Sequence, residues 1–377
     1  MSSVFSDAIA SFLAPIVDLL EDEGVSEVMI NGPSEIFVEK KGLVFKVPNS
    51  FHNEDALISA MRAIAQSVGR VFDDDNPRLD ARLPDGSRIH AVLPPMSKNG
   101  TTVAIRKFSK EKLTINDLIK FGSLSKDAAR FLDICIYLGK NLIVSGGTGS
   151  GKTTMLNVLG SRIPKTQRLI IIEDAAELQV NAEHVVNFET RKADPTKGTT
   201  EVTIRDLVIS SMRLRPDRII VGEVRGEEAL DLIQVMNTGH DGSMGTVHAN
   251  NPEDACTRLE TLCLMGDTKI PPDAVRKMVG SAMQIVVQCS RYHDGGRRTS
   301  HISEITGLDE HGNYISRDIF RWVQTGKDPE TGKYIGEMVP CNYVPTFFED
   351  IIVNKLPFPK SNFISPDWLI KMKKDAA

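Results

Sequence analysis

Short, wholly apolar runs alternate with segments of helical periodicity over the middle of the chain. The apolar runs occupy residues 142–144, 169–172, 219–221, 244–247 and 285–287, and helical patterning bounds each of them. Runs that are apolar throughout, rather than at every second position, are typical of parallel strands covered on both faces. The pattern therefore predicts an α/β domain built on a parallel sheet.

The first hundred residues follow a different pattern. Strand-like runs at 28–31, 36–39 and 43–47 are separated by the Gly-Pro and Lys-Gly pairs that are typical of hairpin turns. A helix is predicted over 54–68, where an asparagine precedes the periodic segment and can cap it. A further strand is predicted over 101–108. These elements predict a small α+β domain.

The ends of the chain and one polar segment suggest the domain organisation. An amphipathic helix is predicted over residues 4–20, and its polar face lacks the lysines and arginines typical of a membrane-surface helix, so docking on its own domain or a neighbour is favoured. Polar, lysine-rich residues 109–114 predict a linker. The expected division is an N-terminal domain over 1–108, an α/β domain over 115–325 and a C-terminal extension over 326–377.

The composition is that of a soluble globular protein, with 377 residues, 41% hydrophobic and 25% charged. No apolar run reaches the roughly 18 residues of a spanning helix, and the start lacks the features of a signal peptide, so no transmembrane segment and a cytoplasmic location are expected. Five cysteines without a C-x-x-C pair suggest neither a disulfide framework nor a zinc site. The net charge of −5 argues against direct binding of nucleic acid.

A complete phosphate-binding loop lies between the first apolar run and a helical segment. Its glycines allow consecutive backbone N–H groups to turn towards phosphate oxygens, and the following helix adds its partial positive charge. Lys152 is expected to reach the β- and γ-phosphates, and the Thr153 hydroxyl to hold Mg²⁺. The sequence therefore predicts binding of a nucleoside triphosphate. The expected binding residues are Gly146, Gly147, Thr148, Gly149, Ser150, Gly151, Lys152, Thr153 and Thr154.

Polar groups also follow the neighbouring predicted strands. Glu173 and Glu177 follow one apolar run, Glu223 follows another in the position of a Walker B acid, and His248 follows a third. Because parallel strands end at one edge of a sheet, these side chains are expected near the γ-phosphate. Carboxylates can coordinate a metal through water or polarise an attacking water, so Glu223 joins Thr153 as an expected Mg²⁺ ligand. A lone histidine is usually structural, and His248 is a candidate only because of its neighbours.

Three arginines, Arg213, Arg215 and Arg218, precede the strand that leads to Glu223. Two interpretations are open for this basic cluster. The side chains either belong to a solvated surface or lie near an oligomer interface, where a guanidinium can stabilise charge that develops on a neighbour's γ-phosphate. The sequence does not choose between them.

These motifs together resemble the type II/type IV secretion ATPase superfamily, which is marked by a Walker A loop, an Asp box, a Walker B ending in Gly-Glu and a His box. The sequences of these motifs are most similar to those of the tight-adherence (Tad/Flp) pilus assembly ATPases. The resemblance covers roughly residues 25–310. The matching passages are 173–178, 203–208, 214–226 and 237–252, with 83–88 and 105–108 nearer the N-terminus.

The resemblance implies a homo-hexameric ring in which ATP and Mg²⁺ bind between a small, PAS-like N-terminal domain and a RecA-like P-loop domain. The implied activity is ATP hydrolysis that drives Tad/Flp-like pilus assembly or type II-like secretion, through an inner-membrane platform protein with which the ATPase associates peripherally. By similarity, Glu177 and Glu223 orient water and metal, and His248 relays the state of the γ-phosphate. Arg88 and Arg106 match arginines that close onto the nucleotide. The choice of general base stays open.

Other functions remain compatible with the motifs. The paired C-x-x-C motifs common in the classical type II branch are absent, which disfavours that branch. A conjugative or type IV secretion ATPase, or the motor of an archaeal-type filament, would use the same ATPase motifs. A nucleotide-dependent switch or scaffold is the alternative of a different class. A small-molecule kinase is disfavoured because the sequence has no evident acceptor site or lid.

Overall fold

A computed structural model of the chain describes residues 11–40, 42–83, 85–108, 113–193, 198–266, 269–367 and 369. The chain divides into two compact units, Met1–Lys112 and Leu113–Ala377. Each unit has an apolar core of its own, as expected for a chain of this length. Among the described residues, no helix is both long enough and apolar enough to cross a bilayer.

The N-terminal unit is an antiparallel sheet with helices packed against it. Its strands are β1 (Val25–Asn31), β2 (Ile36–Lys40), β3 (Leu43–Val47), β4 (Arg78–Arg82), β5 (Arg88–Val92) and β6 (Thr102–Arg106), in the order β3-β2-β1-β6-β5-β4. Its helices are α1 (Val17–Glu21), which follows a 3₁₀ turn over Ala14–Ile16, and α2 (Glu54–Ser67). The α+β composition predicted for this part of the chain is confirmed.

A side-chain cap and buried apolar residues account for the two helices described in this unit. The Asn53 side chain accepts a hydrogen bond from the backbone N–H of Ala56 at 2.8 Å, which caps α2 as predicted. Leu13, Ile16 and Leu19 are buried in the core of the same unit. This packing confirms the predicted docking on its own domain for the described part of the first helical segment, whereas residues 4–10 lie outside the described residues.

The C-terminal unit is built on one large mixed sheet. Its strands are β7 (Leu142–Gly146), β8 (Leu169–Glu173), β9 (Val185–Glu189), β10 (Arg218–Val221), β11 (Met244–Val247), β12 (Ile285–Arg291), β13 (Arg297–Leu308), β14 (Tyr314–Lys327) and β15 (Tyr334–Pro340). They form nine strands in the order β15-β14-β13-β12-β7-β11-β10-β8-β9. The pairs from β12 to β9 are parallel, and the pairs from β12 to β15 are antiparallel.

Helices cover both faces of the parallel strands. Leu142 and Val144 of β7 belong to one core cluster, and Ile143 between them belongs to the other. This alternation explains why the strand sequences are apolar at every position. The helices of the unit are α3 (Ile115–Lys120), α4 (Lys126–Tyr137), α5 (Lys152–Gly160), α6 (Ile204–Ser211), α7 (Glu228–Asn237), α8 (Pro252–Cys263), α9 (Pro272–Ala282) and α10 (Phe348–Val353), with 3₁₀ turns over Met212–Leu214 and Lys360–Phe363.

The structure differs from the expected division at the C-terminal end. The boundary expected after residue 325 falls inside β14, and β15 completes the same sheet. The rings of Phe358 and Phe363 lie 6.1 and 5.8 Å from that of Phe131, between ring centroids, in the core of the unit. The described part of the predicted extension is therefore integral to the C-terminal unit. The sequence pattern did not indicate this, because the aromatic residues are scattered along the chain and meet only in the folded unit.

The predicted linker lies mostly outside the described residues. Of 109–114, the structure describes residues 113 and 114. Thr114 caps α3 through a capping box, in which its side chain bonds to the backbone N–H of Asp117 and the Asp117 carboxylate bonds back to the Thr114 backbone. The last linker residue is thus the start of a helix.

Candidate functional site

The phosphate loop connects the end of β7 to the start of α5, and its backbone conformation requires glycine. Gly149 and Gly151 have φ angles of 67° and 98°, in the left-handed region that other residues rarely adopt. A Cβ atom on Gly146 would overlap the carbonyl oxygen of Cys289 on the neighbouring strand. The loop geometry therefore depends on these glycines, as the sequence predicted.

Lys152 lies inside the loop rather than in solvent. The residue is 8% exposed, and its Nζ donates a hydrogen bond to the Gly147 carbonyl oxygen at 3.0 Å. The Ser150 hydroxyl donates to the same oxygen at 2.8 Å. Thr148 is exposed in the loop, and Thr153 and Thr154 lie in the first turn of α5. Residues 146–154 thus form one continuous candidate anion site.

Three predicted site residues meet beside the loop. The Lys152 Nζ lies 3.3 Å from Nε2 of His248, and this Nε2 lies 2.8 Å from Oε1 of Glu223. This contact joins an imidazole nitrogen to a buried carboxylate oxygen. The ends of β7, β10 and β11 therefore bring a cation, an imidazole and a carboxylate together.

Arg225 completes this cluster, and sequence reasoning did not assign it a role. Its guanidinium contacts Oε2 of Glu223, and its Nη1 lies 3.5 Å from Oδ2 of Asp174. The charge of Glu177 also acts on Arg225 and raises its pKa, although less than the contact with Glu223 does. The signal was present in the sequence, because Arg225 follows Glu223 by two residues at the same strand end.

The electrostatic environment sets the charge of Glu223 and His248. Burial works to raise the pKa of the Glu223 carboxyl, but Arg225, His248 and Lys152 together outweigh it, so this pKa lies below its usual value. Burial and the nearby Lys152 charge lower the pKa of His248 despite the attraction of Glu223. The site therefore combines an ionised carboxylate with a neutral imidazole near neutral pH.

The contacts described for Glu173 are with the protein backbone and not with Lys152, His248 or Glu223. Its Oε1 accepts hydrogen bonds from the backbone N–H groups of Glu177 and Leu178 at 2.9 and 3.0 Å. Burial raises the pKa of this carboxyl to about 7. Glu173 thus positions the loop that carries Glu177, and its direct part in hydrolysis stays a prediction.

Gly222 lies beside a side chain of the neighbouring strand. A Cβ atom at this position would lie 2.8 Å from Cγ of Glu173. The glycine therefore makes room for the Glu173 side chain, because the two parallel strands β8 and β10 are neighbours.

Arg88 and Arg106 lie in the N-terminal unit, directly opposite each other on β5 and β6. Arg82 on β4 is in turn opposite Arg88. On its other side Arg106 faces Glu27 of β1, so the row of arginines ends beside a carboxylate. The structure thus brings the two predicted arginines together, and their contact with nucleotide stays a prediction.

The basic cluster of three arginines is divided by the fold. Arg218 is 1% exposed, and its guanidinium donates to Oε1 of Gln167 at 2.6 Å and to the Ile136 carbonyl oxygen at 2.7 Å. It begins β10, at the end of the strand away from Glu223. Arg218 therefore matches neither of the two interpretations, whereas Arg213 and Arg215 are exposed and both interpretations remain open for them.

The donor set fits a magnesium–nucleotide complex better than a metal held by protein alone. Within the described ranges, no group of three or more His, Cys, Asp or Glu residues could hold a metal ion. Mg²⁺ usually takes one or two protein ligands together with substrate phosphates and water. The buried Oε1 of Glu223, which accepts no directed hydrogen bond from the described residues, and the Thr153 hydroxyl match this requirement.

The five cysteines are free, and four are buried.

A phosphate loop after a central parallel strand, with acidic and imidazole groups on neighbouring strand ends, defines a P-loop nucleotide-binding protein with a RecA-like core. Residues 10–301 match the family described as Type II/IV secretion system protein, and the chain belongs to that family. The predicted superfamily, that of the type II/type IV secretion ATPases, is therefore confirmed.

Individual relatives refine this assignment. An uncharacterized protein of Methanocaldococcus jannaschii is 45% identical over 231 residues, which cover 60% of this chain and 32% of that protein, so the chain spans about a third of its length. The type IV secretion system protein VirB11 of Brucella suis is 34% identical over 323 residues, 78% of this chain and 88% of that protein.

Solved structures support the fold. The pilus retraction motor PilT matches with a TM-score of 0.54 at 19% identity, over 90% of this chain and 86% of that one. This likeness confirms the predicted RecA-like fold class and nothing finer. A special closeness to tight-adherence pilus ATPases stays a prediction.

Proposed function

We propose that this protein is the hexameric ATPase motor of a type IV secretion or conjugative transfer system. The observation that carries the proposal is the contact series from Lys152 through His248 to Glu223, with distances of 3.3 and 2.8 Å. Such a series links a phosphate-binding cation to a carboxylate that can act on water. The similarity to VirB11 over 78% of the chain favours this system over the Tad/Flp pilus assembly suggested by the sequence motifs.

Each residue has a proposed part in hydrolysis. The loop amides and Lys152 hold the phosphates, and Thr153 and Glu223 hold Mg²⁺, which neutralises phosphate charge. Glu223 or Glu177 orients the attacking water. His248 is neutral and contacts both Lys152 and Glu223, so it can report whether a γ-phosphate has engaged the lysine. Arg88 and Arg106 of the N-terminal unit contact the nucleotide.

Hydrolysis would drive motion between the two units of the chain within a ring. In this proposal the two units move as rigid bodies about the segment near residues 109–114, and the ring acts on an inner-membrane platform protein from the cytoplasmic side.

Tad/Flp pilus assembly is the second candidate, favoured by the passages around the Walker B and His boxes. Neighbouring pilin and prepilin-peptidase genes would favour pilus assembly, whereas relaxase and coupling-protein genes would favour transfer.

The oligomeric state tests the motor against a switch or scaffold. Molar mass is measured by light scattering with and without Mg²⁺ and a non-hydrolysable ATP analogue. We expect a hexamer that the nucleotide stabilises. A monomer or dimer under both conditions would contradict the motor and favour the switch.

Two variants separate nucleotide binding from turnover. Lys152→Ala removes the cation inside the loop, and we expect weaker ATP binding. Glu223→Gln keeps the shape of the side chain without its charge, and we expect ATP binding to persist while kcat falls by about 100-fold or more. Calorimetric titration and phosphate release measure the two effects. Hydrolysis by Glu223→Gln at the wild-type rate would show that its assigned role is wrong.

A further inference from the structure

The hairpin between β12 and β13 carries two arginines that face each other across the strand pair. β12 ends at Arg291 and β13 begins at Arg297, and the two residues are partners in the register. The turn between them closes with a hydrogen bond from the Tyr292 N–H to the Gly296 carbonyl oxygen at 2.9 Å. The two guanidinium-bearing positions are therefore adjacent at the turn end of the strand pair.

A buried ion pair fixes this hairpin. The Asp294 carboxylate accepts hydrogen bonds from the guanidinium of Arg298 at 3.1 and 2.8 Å and from the Tyr334 N–H at 2.8 Å. The Arg298 guanidinium lies over the rings of Tyr292 and Trp322, 5.0 and 4.8 Å from their centroids. The side chains of this pair are 2% and 11% exposed. The turn is therefore held rigidly, and so are the strand ends that carry the two arginines.

Both arginines lie at the phosphate loop. The Nε of Arg297 donates a hydrogen bond to the Gly149 carbonyl oxygen at 2.8 Å, and its Cδ lies 3.9 Å from the point where a Cβ on Gly151 would be. The Nη1 of Arg291 lies 3.4 Å from the corresponding point on Gly149. Both side chains are exposed. Two guanidinium groups thus border the loop on the hairpin side.

We propose that Arg291 and Arg297 are nucleotide-binding residues whose guanidinium groups contact the phosphate chain of ATP. A guanidinium presents a planar set of N–H donors that matches phosphate oxygens. Lys152 alone supplies one positive charge inside the loop, and the hairpin adds two more at its border. The inference rests on the nucleotide binding proposed above and extends the site to residues beyond its known motifs.

Equilibrium binding tests this role. The full chain is titrated with the slowly hydrolysed analogue ATPγS and Mg²⁺ in a calorimeter. Arg291→Ala and Arg297→Ala are each expected to weaken binding by about tenfold, because each removes a charged hydrogen bond to phosphate. Arg130→Ala is the control, since it removes the same charge from an exposed position on α4 in the same unit. Thermal unfolding verifies that each variant is folded.

A second substitution separates phosphate contact from support of the loop. Arg297→Gln keeps an N–H donor for the Gly149 carbonyl oxygen but has no charge, and we expect it to bind ATPγS as weakly as Arg297→Ala. Wild-type affinity in Arg297→Gln would overturn the proposed contact. Affinities of Arg291→Ala and Arg297→Ala within twofold of Arg130→Ala would overturn this inference alone, whereas no binding by the wild-type chain would overturn the proposed function as well.

Discussion

Arg225 controls the charge of the carboxylates next to the phosphate loop. It contacts Glu223 directly and lies 3.5 Å from Asp174 at the end of the neighbouring strand. Because Glu223 is partly buried, its ionised form depends on this guanidinium and on the cation of Lys152. A residue that is not expected to touch the attacking water can therefore decide whether the carboxylate beside it is charged.

Removing Arg225 should change the pH dependence of hydrolysis. In Arg225→Met, burial becomes the stronger influence on Glu223, so the pKa of its carboxyl rises. We expect the acidic limb of the kcat–pH profile to move to higher pH. The profile is measured by phosphate release at saturating ATP. Arg130→Met, at an exposed position on α4, serves as control and should leave the limb in place. An unchanged limb in Arg225→Met would contradict the role of this contact.

Glu173 should make the stability of the fold depend on pH. Its pKa is raised from 4.5 to about 7 by burial, so between these values the folded chain binds more protons than the unfolded chain. Stability from this group is therefore complete below pH 4.5 and is lost as pH rises through 7. Relative to wild type, Glu173→Gln should gain up to about 3 kcal/mol between pH 5 and 8.

Urea unfolding at several pH values measures this difference. Glu349→Gln makes the same substitution at an exposed position and should follow the wild-type curve. Parallel curves of unfolding free energy against pH for Glu173→Gln and wild type would show that the carboxyl of Glu173 does not have a raised pKa in the folded chain.

The strand that leads to the phosphate loop is anchored where it begins. Asn141 is 3% exposed, and its Nδ2 donates to the carbonyl oxygens of Met236 and Ala282 at 3.1 and 3.0 Å. Its Oδ1 accepts from the Gly242 N–H at 2.9 Å. One amide therefore joins the ends of α7 and α9 to the turn before β11.

Loss of this amide should destabilise the C-terminal unit. Asn141→Ala leaves three buried backbone groups without partners, and we expect a loss of about 3 kcal/mol in the free energy of unfolding. Asn237→Ala is a matched control because it removes one exposed hydrogen bond, to the Met278 carbonyl oxygen, and should cost about 1 kcal/mol or less. Equal losses in the two variants, measured in urea, would contradict the anchoring role.

Elements with a strong local signal were predicted well. The central strands are apolar throughout, and α2 begins after the Asn53 cap, as its sequence predicts. By contrast, β9 and β15 were not assigned. Both lie at edges of the sheet and have partly exposed side chains, so their short sequences lack a continuous apolar signal.

At the scale of the whole molecule, the C-terminal segment is part of the main core. A chain ended after residue 325 would lose the last residues of β14, all of β15 and the rings of Phe348 and Phe363. We expect it to be largely unfolded or aggregated, because the exposed edge of β14 and the cavity around Phe131 would remain. A chain ended after residue 370 keeps β15 and both of these rings and should fold. Expression yield and circular dichroism compare the two, and a folded shorter chain would contradict this packing.

The sequence alone determined the phosphate loop, the parallel character of its neighbouring strands and the family. These features depend on short continuous segments, whose glycines, apolar runs and capping residues act within a few positions of one another. The placement of Glu223 and His248 at a common edge also followed from the sequence, because parallel strands end on the same side.

Only the tertiary structure decided which side chains meet. The contact of Arg297 with Gly149 joins residues 148 positions apart, and Arg225 reaches Asp174 from a different strand end. Burial, which made Arg218 a core residue and raised the pKa of Glu173, likewise exists only when distant segments pack together. Local patterns cannot encode such contacts, because residues far apart in the sequence have no fixed distance from each other until the sheet brings them together.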